Sequence, residues 1–116
     1  MGKIYLANAF SLQMIKNFPV SINIYEIGSI GAEAICKRTN LPAEHREHII
    51  SAVGHPDTAA VLGVPCNRIY VSLEKGDTLY VAQLVGGRLP EGCITLPEGF
   101  TIKFLEVVID YFPSNF

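Results

Sequence analysis

The sequence predicts a single α/β domain with a mixed sheet of about five strands flanked by helices. Three observations carry that reading. Short segments rich in β-forming residues alternate apolar and polar side chains. Capping and stop signals for helices lie between several of them. The chain has 116 residues, 49% of them hydrophobic and 17% charged, enough for one core and too few for two.

Residues 3–7 read as the first strand, broken at Asn8, after which Ser11 is placed to cap a short helix through Phe18. Residues 20–27, VSINIYEI, set Val20, Ile22 and Ile24 against Ser21, Asn23 and Tyr25, the period of a strand with one buried face. Ser29, with Glu33 behind it, starts a helix through about Arg38. Residues 41–53 read as helix, with Pro42 in the first turn, Ile49, Ile50 and Val53 as the apolar face, and Gly54 as the stop. Asp57 or Thr58 is then expected to cap a shorter helix through about Leu62. Residues 68–73 and 78–84 read as two strands joined across EKGD in a tight hairpin. Residues 86–99 hold four glycines and two prolines and read as loop, and residues 102–110 form the last strand. The tail from Tyr111 to Phe116 carries aromatic side chains with nothing in the sequence to say what they pack on.

Nine basic and eleven acidic residues leave a formal net charge of -2, which argues against a binder of duplex DNA that works by neutralising many phosphates. Cys36, Cys66 and Cys93 are odd in number and lack a CxxC pair, so they are expected to be reduced, mostly buried thiols of a cytoplasmic protein rather than a disulfide or zinc framework. No apolar run reaches the roughly 18 residues that span a bilayer, and the first residues lack signal-peptide character, so no membrane partner is expected. The apolar excess favours a homodimer.

His55 follows Gly54 and precedes Pro56 at a helix junction, where backbone N–H groups can meet an anion and an imidazole can exchange a proton near neutral pH. An ordinary loop histidine fits the same spacing. Arg68 opens an expected strand, and Arg88 lies in the loop GGRLPEG with Glu91 three residues on. Planar guanidinium groups beside flexible glycines suit phosphate recognition. A surface Arg88–Glu91 ion pair suits the spacing equally well. Asn8, Ser11 and Gln13 cluster at the end of the first strand, where they suit either a ligand or capping and turn formation. His45 and His48, flanked by Glu44 and Glu47, read as a solvated charged face rather than a metal site. No glycine loop matches a P-loop or dinucleotide pattern, so no cofactor is expected.

Taken together, KIYLANAFS, VGHPDTAAVLG, NRIYVSLEKGDTLYVAQ, RLPEG and FLEVVID resemble, in order and spacing, the small viral and prokaryotic ring nucleases that inhibit type III CRISPR immunity. The resemblance extends from about Lys3 to Asp110 and lies in the collinear combination. It implies a homodimer that binds cyclic tetra-adenylate across its interface and cuts it without metal. In that reaction the ribose 2′-hydroxyl attacks and leaves linear di-adenylate with a 2′,3′-cyclic phosphate. The resemblance assigns catalysis to His55 and Glu91, phosphate binding to Arg68 and Arg88, and cavity lining to Asn8, Ser11, Gln83 and Gln13, where relatives can carry asparagine at the last. Three departures touch this set. Relatives commonly read GHDST where this chain has Pro56 after the histidine, the glycines before Arg88 include an extra residue, and RLEEG is here RLPEG. The competing functions are a sponge that holds a cyclic oligonucleotide uncut, and a nucleic-acid-binding regulator.

Overall fold

A computed structural model describes residues 2–111; the rest of the tail, 112–116, lies outside the described residues. The expected α/β class holds: β1 (Ile4–Ala7), β2 (Val20–Ile27), β3 (Ile50–Ala52), β4 (Thr78–Val85) and β5 (Thr101–Tyr111) form one mixed sheet in the order β2-β5-β4-β1-β3. Helices α1 (Ser29–Thr39) and α2 (Pro56–Leu62) pack on one face of it. No helix is long and apolar enough to cross a membrane among the described residues.

β1 runs parallel to a neighbour on each side, with Ala7 opposite Ala52 of β3 and opposite Val81 of β4. β5 is antiparallel to both β4 and β2. Because side chains alternate across a strand, the central strands feed two cores. Leu6, Ala82 and Phe104 meet Ile35 of α1 and Ala59 of α2 on the helical face. Tyr5, Ala7, Leu79, Val81 and Val107 face the other way, partly covered by Phe10, Ile15, Val71 and Leu73.

Three expected elements are different in the structure, the first being the helix from Ser11 through Phe18, of which only a 3-10 turn, Leu12–Met14, forms. Residues 41–53 are not a helix. Their first part is a run of turns closed by His45 N–H to Pro42 O and His48 N–H to His45 O, and Ile50–Ala52 is β3. The apolar pairs that suggested a helical face alternate instead: Ile49, Ser51 and Val53 are buried, while Ile50 and Ala52 are half-buried on the opposite side. The free edge of β1 supplies a ladder that helical propensity cannot match in so β-branched a segment. His45 and His48 therefore lie in turns. Nδ1 of His45 accepts from the Glu47 N–H at 3.1 Å, and Nδ1 of His48 lies 2.9 Å from Leu41 O, to which it donates.

The hairpin across EKGD does not form either. The turn is present, with Gly76 at φ +90° and the Asp77 carboxylate accepting from the Glu74 N–H at 2.9 Å and the Lys3 N–H at 2.8 Å. Both edges of β4 are already taken, by β1 and β5, so residues 68–73 cannot pair with it. They cross the open face of the sheet instead, burying Val71 and Leu73, with Leu73 N–H donating to Met14 O at 2.8 Å. Tyr111 ties this crossing to the sheet: its hydroxyl donates to Leu73 O at 2.6 Å and accepts from the Lys16 N–H at 2.8 Å.

The cysteines are less buried than expected. Cys66 is exposed on the chain after Pro65, while Cys36 and Cys93 are half-buried; all three are free. Partial burial against the helical core pushes the Cys36 thiol above its ordinary range.

Leu6 is wholly buried between β1 and the helices. Leu6→Ala is expected to cost about 2–5 kcal/mol of stability, read as a lowered urea midpoint with unchanged slope.

Candidate functional site

The carboxyl ends of the parallel strands β1, β3 and β4 converge on one rim of the sheet, the place where open α/β sheets form crevices. The first residue past β1 is Asn8. Its Oδ1 accepts from the N–H of Gly54, two residues past β3, at 3.3 Å, so the two strand ends are tied by a side chain.

Beyond β3 the chain turns into α2, and the N-cap is His55, not Asp57 or Thr58. Pro56 takes the first helical position, where its missing N–H costs nothing and its fixed φ suits the helix. The extended His55 backbone lets Nδ1 accept from the Thr58 N–H at 3.3 Å, with the Thr58 hydroxyl 3.2 Å from the same nitrogen. The expected helix-junction donors are thus not all free: Thr58 donates to the histidine itself. A ring nitrogen that accepts this bond carries no proton, so in the neutral ring the proton lies on Nε2, away from the helix.

Arg68 reaches the rim by a different route. Asn67 lies beside β3, its N–H donating to Val53 O at 2.9 Å and its amide to Ser51 O at 2.7 Å. Arg68 follows in an extended segment outside the sheet, and its Nε donates to Gly54 O at 2.9 Å. Gly54 leaves room for the arginine stem, since a Cβ at that position would lie 3.0 Å from Arg68 Cγ and press it aside. Asn8, Gly54, Arg68 and the exposed Tyr70 then line one cleft.

The loop 86–99 closes the other side. Gly86, at φ +127°, lets the loop leave β4 against Gly99 and Phe100; a Cβ there would meet Gly99 O at 2.8 Å. Buried Leu89 anchors the loop, and Asp57 Oδ1 accepts from the Gly92 N–H at 3.3 Å. These contacts bring Arg88 and Glu91 to α2: His55, Asp57, Arg88, Leu89 and Glu91 line a cleft of about 490 Å³. Asn8, His55, Thr58 and Arg88 line a smaller adjoining one. Among the described residues the side-chain ion pairs are Lys16–Glu74 and Glu33–Lys37, so the Arg88–Glu91 pair that the spacing allowed does not form.

His55, Glu91, Arg88 and Asn8 are therefore neighbours around adjoining clefts, and Arg68 lies across Gly54 from them. Gln83 faces the opposite side of β4, in a mostly apolar cleft with Asn8, Phe10, Ile24, Val81 and Leu105. Ser11 and Gln13 belong to a 3-10 turn (Leu12–Met14), shorter than the expected helix; Ser11 Oγ caps it by accepting from the Gln13 N–H at 3.2 Å. Asp57 and Thr58 were expected as caps; the structure gives them to the loop and the imidazole instead. Their spacing of two and three residues from His55 is the signal that capping chemistry would supply.

The fold and site define a small mixed-sheet α/β protein with a histidine, an acid and two arginines at the carboxyl ends of its parallel strands. The chain belongs to the STIV B116-like family, whose model matches residues 4–104. Its fold is similar to B116 of Sulfolobus turreted icosahedral virus, with a TM-score of 0.71 and 29% identity over 92% of this chain and 99% of that one. Among curated proteins nothing matches the chain.

Asp57→Ala is expected to free the loop without unfolding the domain. Hydrogen exchange should quicken at Gly92 and its neighbours, while the melting temperature moves by only a few degrees, as about 1 kcal/mol implies. Unchanged exchange in the loop would remove Asp57 from this role.

Proposed function

We propose that this chain is a metal-independent ring nuclease that binds cyclic tetra-adenylate at a homodimer interface, cuts it to linear di-adenylate with a 2′,3′-cyclic phosphate, and so shuts off type III CRISPR signalling. The observation that carries the proposal is the junction of β3 and α2. There a histidine whose Nδ1 is engaged, leaving Nε2 for a ligand, shares a cleft with Arg88 and Glu91 from a distant loop.

RNA carries its own nucleophile, so the protein has to orient rather than to supply one. In this reading the ring is bent until the 2′-oxygen, phosphorus and 5′-oxygen approach a line. The 2′-oxygen bonds to phosphorus and releases its proton to solvent as the bond to the 5′-oxygen breaks. His55, entering as imidazolium, protonates that leaving oxygen from Nε2. Arg88 and Arg68 hold the phosphates and offset charge developing on the non-bridging oxygens. Arg68 spends only Nε on Gly54 O, which leaves its terminal nitrogens for an anion. Glu91 is assigned to orienting the ribose or the imidazole.

The open face of the sheet supports the dimer. Ile24 and Val85 are 53% and 45% exposed there, beside the apolar cleft that holds Gln83 and Asn8. A second copy on that face would cover the apolar surface and, because Asn8 borders both this cleft and the one lined by His55 and Arg88, would set the rims of the two copies beside one another, where a ring with its own symmetry could bridge them.

Incubation with cyclic tetra-adenylate in EDTA, with products identified by mass, is the decisive test. Wild type should yield linear di-adenylate with a cyclic phosphate. A ring that stays bound and intact would instead make the protein a sponge. His55→Ala should retain binding and cleave about a hundredfold more slowly or worse. Arg88→Ala should weaken affinity about tenfold as well as slow turnover; unchanged affinity would take it out of the phosphate role.

A further inference from the structure

We propose that the Thr58 hydroxyl is the group that allows His55 to be protonated on both ring nitrogens while it remains seated at the start of α2, making Thr58 a positioning residue of the site. The inference rests on the proposed role of His55 as a proton donor, but its structural content can be tested without substrate.

The two groups that Thr58 offers to Nδ1 are not equivalent. Its backbone N–H, at 3.3 Å, is a donor only and can bond Nδ1 only when that nitrogen is bare. Its hydroxyl, at 3.2 Å, can donate or accept. In the neutral ring the backbone N–H satisfies the single lone pair of Nδ1, and the hydroxyl adds little. In the imidazolium Nδ1 becomes a donor that faces the backbone N–H, and the hydroxyl oxygen beside it is the acceptor that receives it. Thr58 is only 6% exposed, so water cannot readily take its place. The charged groups around the ring are Asp57 on the same helix, Arg88 and Glu91 on the loop, and Arg68 across Gly54. They act on the ring's total charge, whereas among the described residues the Thr58 hydroxyl is the side-chain group within hydrogen-bond distance of Nδ1.

Isotope-edited NMR of the full chain tests this in wild type, Thr58→Val and Thr58→Ser, with folding checked by circular dichroism. The nitrogen shifts of His55 should show the Nε2–H tautomer at alkaline pH in wild type. The titration midpoint of His55 should fall by about one pH unit in Thr58→Val, the size expected for a lost bond to a charged group, and return in Thr58→Ser, which keeps the hydroxyl. A Thr58→Val midpoint equal to wild type, or a Thr58→Ser midpoint as low as that of Thr58→Val, would overturn the proposal. If Thr58→Val fails to fold, the Thr58→Ser and Thr58→Ala midpoints carry the same comparison. In parallel, the alkaline limb of the single-turnover cleavage profile of cyclic tetra-adenylate should move to lower pH in Thr58→Val and return in Thr58→Ser. Wild type that never cuts the ring would refute the nuclease reading, while the NMR comparison would still decide the role of Thr58.

Discussion

The structure depends on the position of β1 between two parallel neighbours. With β3 on one side and β4 on the other, three carboxyl ends fall on one rim of the sheet, and whatever follows each strand is brought there. Asn8 follows β1, Gly54 and His55 follow β3, and the loop with Arg88 and Glu91 follows β4. The same pairing consumes both edges of β4 once β5 is added, which forces residues 68–73 out of the sheet and across its open face. Arg68 is delivered to the rim as a consequence. One topological constraint thus assembles polar groups from four separate parts of the chain.

Local chemistry then turns proximity into orientation. The Asn8 amide, the Gly54 carbonyl and the Asp57 carboxylate each use a single hydrogen bond to join two segments that have no ladder between them. Each such bond is worth only about 1 kcal/mol net, too little to fold the domain but enough to choose among loop conformations. The stability comes instead from the two apolar layers. The sheet is held by continuous ladders between its strands, whereas the glycine-rich loop that carries Arg88 and Glu91 is held by one buried leucine and few polar contacts.

Substitution of His-Pro-Asp-Thr for the His-Asp-Ser-Thr common in the resembling family is accommodated by the same local geometry. Proline occupies the one helical position that has no use for an N–H, so the cap survives. Asp57 falls where it can reach the loop, and Thr58 where it can reach the imidazole. The loss of one carboxylate in RLPEG leaves Glu91 at the cleft.

By itself the sequence determined the α/β class, β1, β2, β4, β5, both helices and the candidate side chains, because period-two alternation and the breaks between elements are local signals that survive folding, although the residue that caps α2 is His55 and not the expected Asp57 or Thr58. Family resemblance, carried by short collinear motifs, singled out His55, Glu91 and the two arginines from side chains that spacing alone left ambiguous. Tertiary structure decided what local signals could not. Residues 50–52 became a strand because an unpaired edge of β1 was waiting for them, and residues 68–73 did not because β4 had no edge left. It also decided that Gln83 faces away from His55, across the thickness of the sheet, and that Thr58 rather than solvent meets the imidazole. Edge occupancy, strand face and the neighbours of a ring nitrogen are properties of the assembled sheet, and no window of sequence contains them.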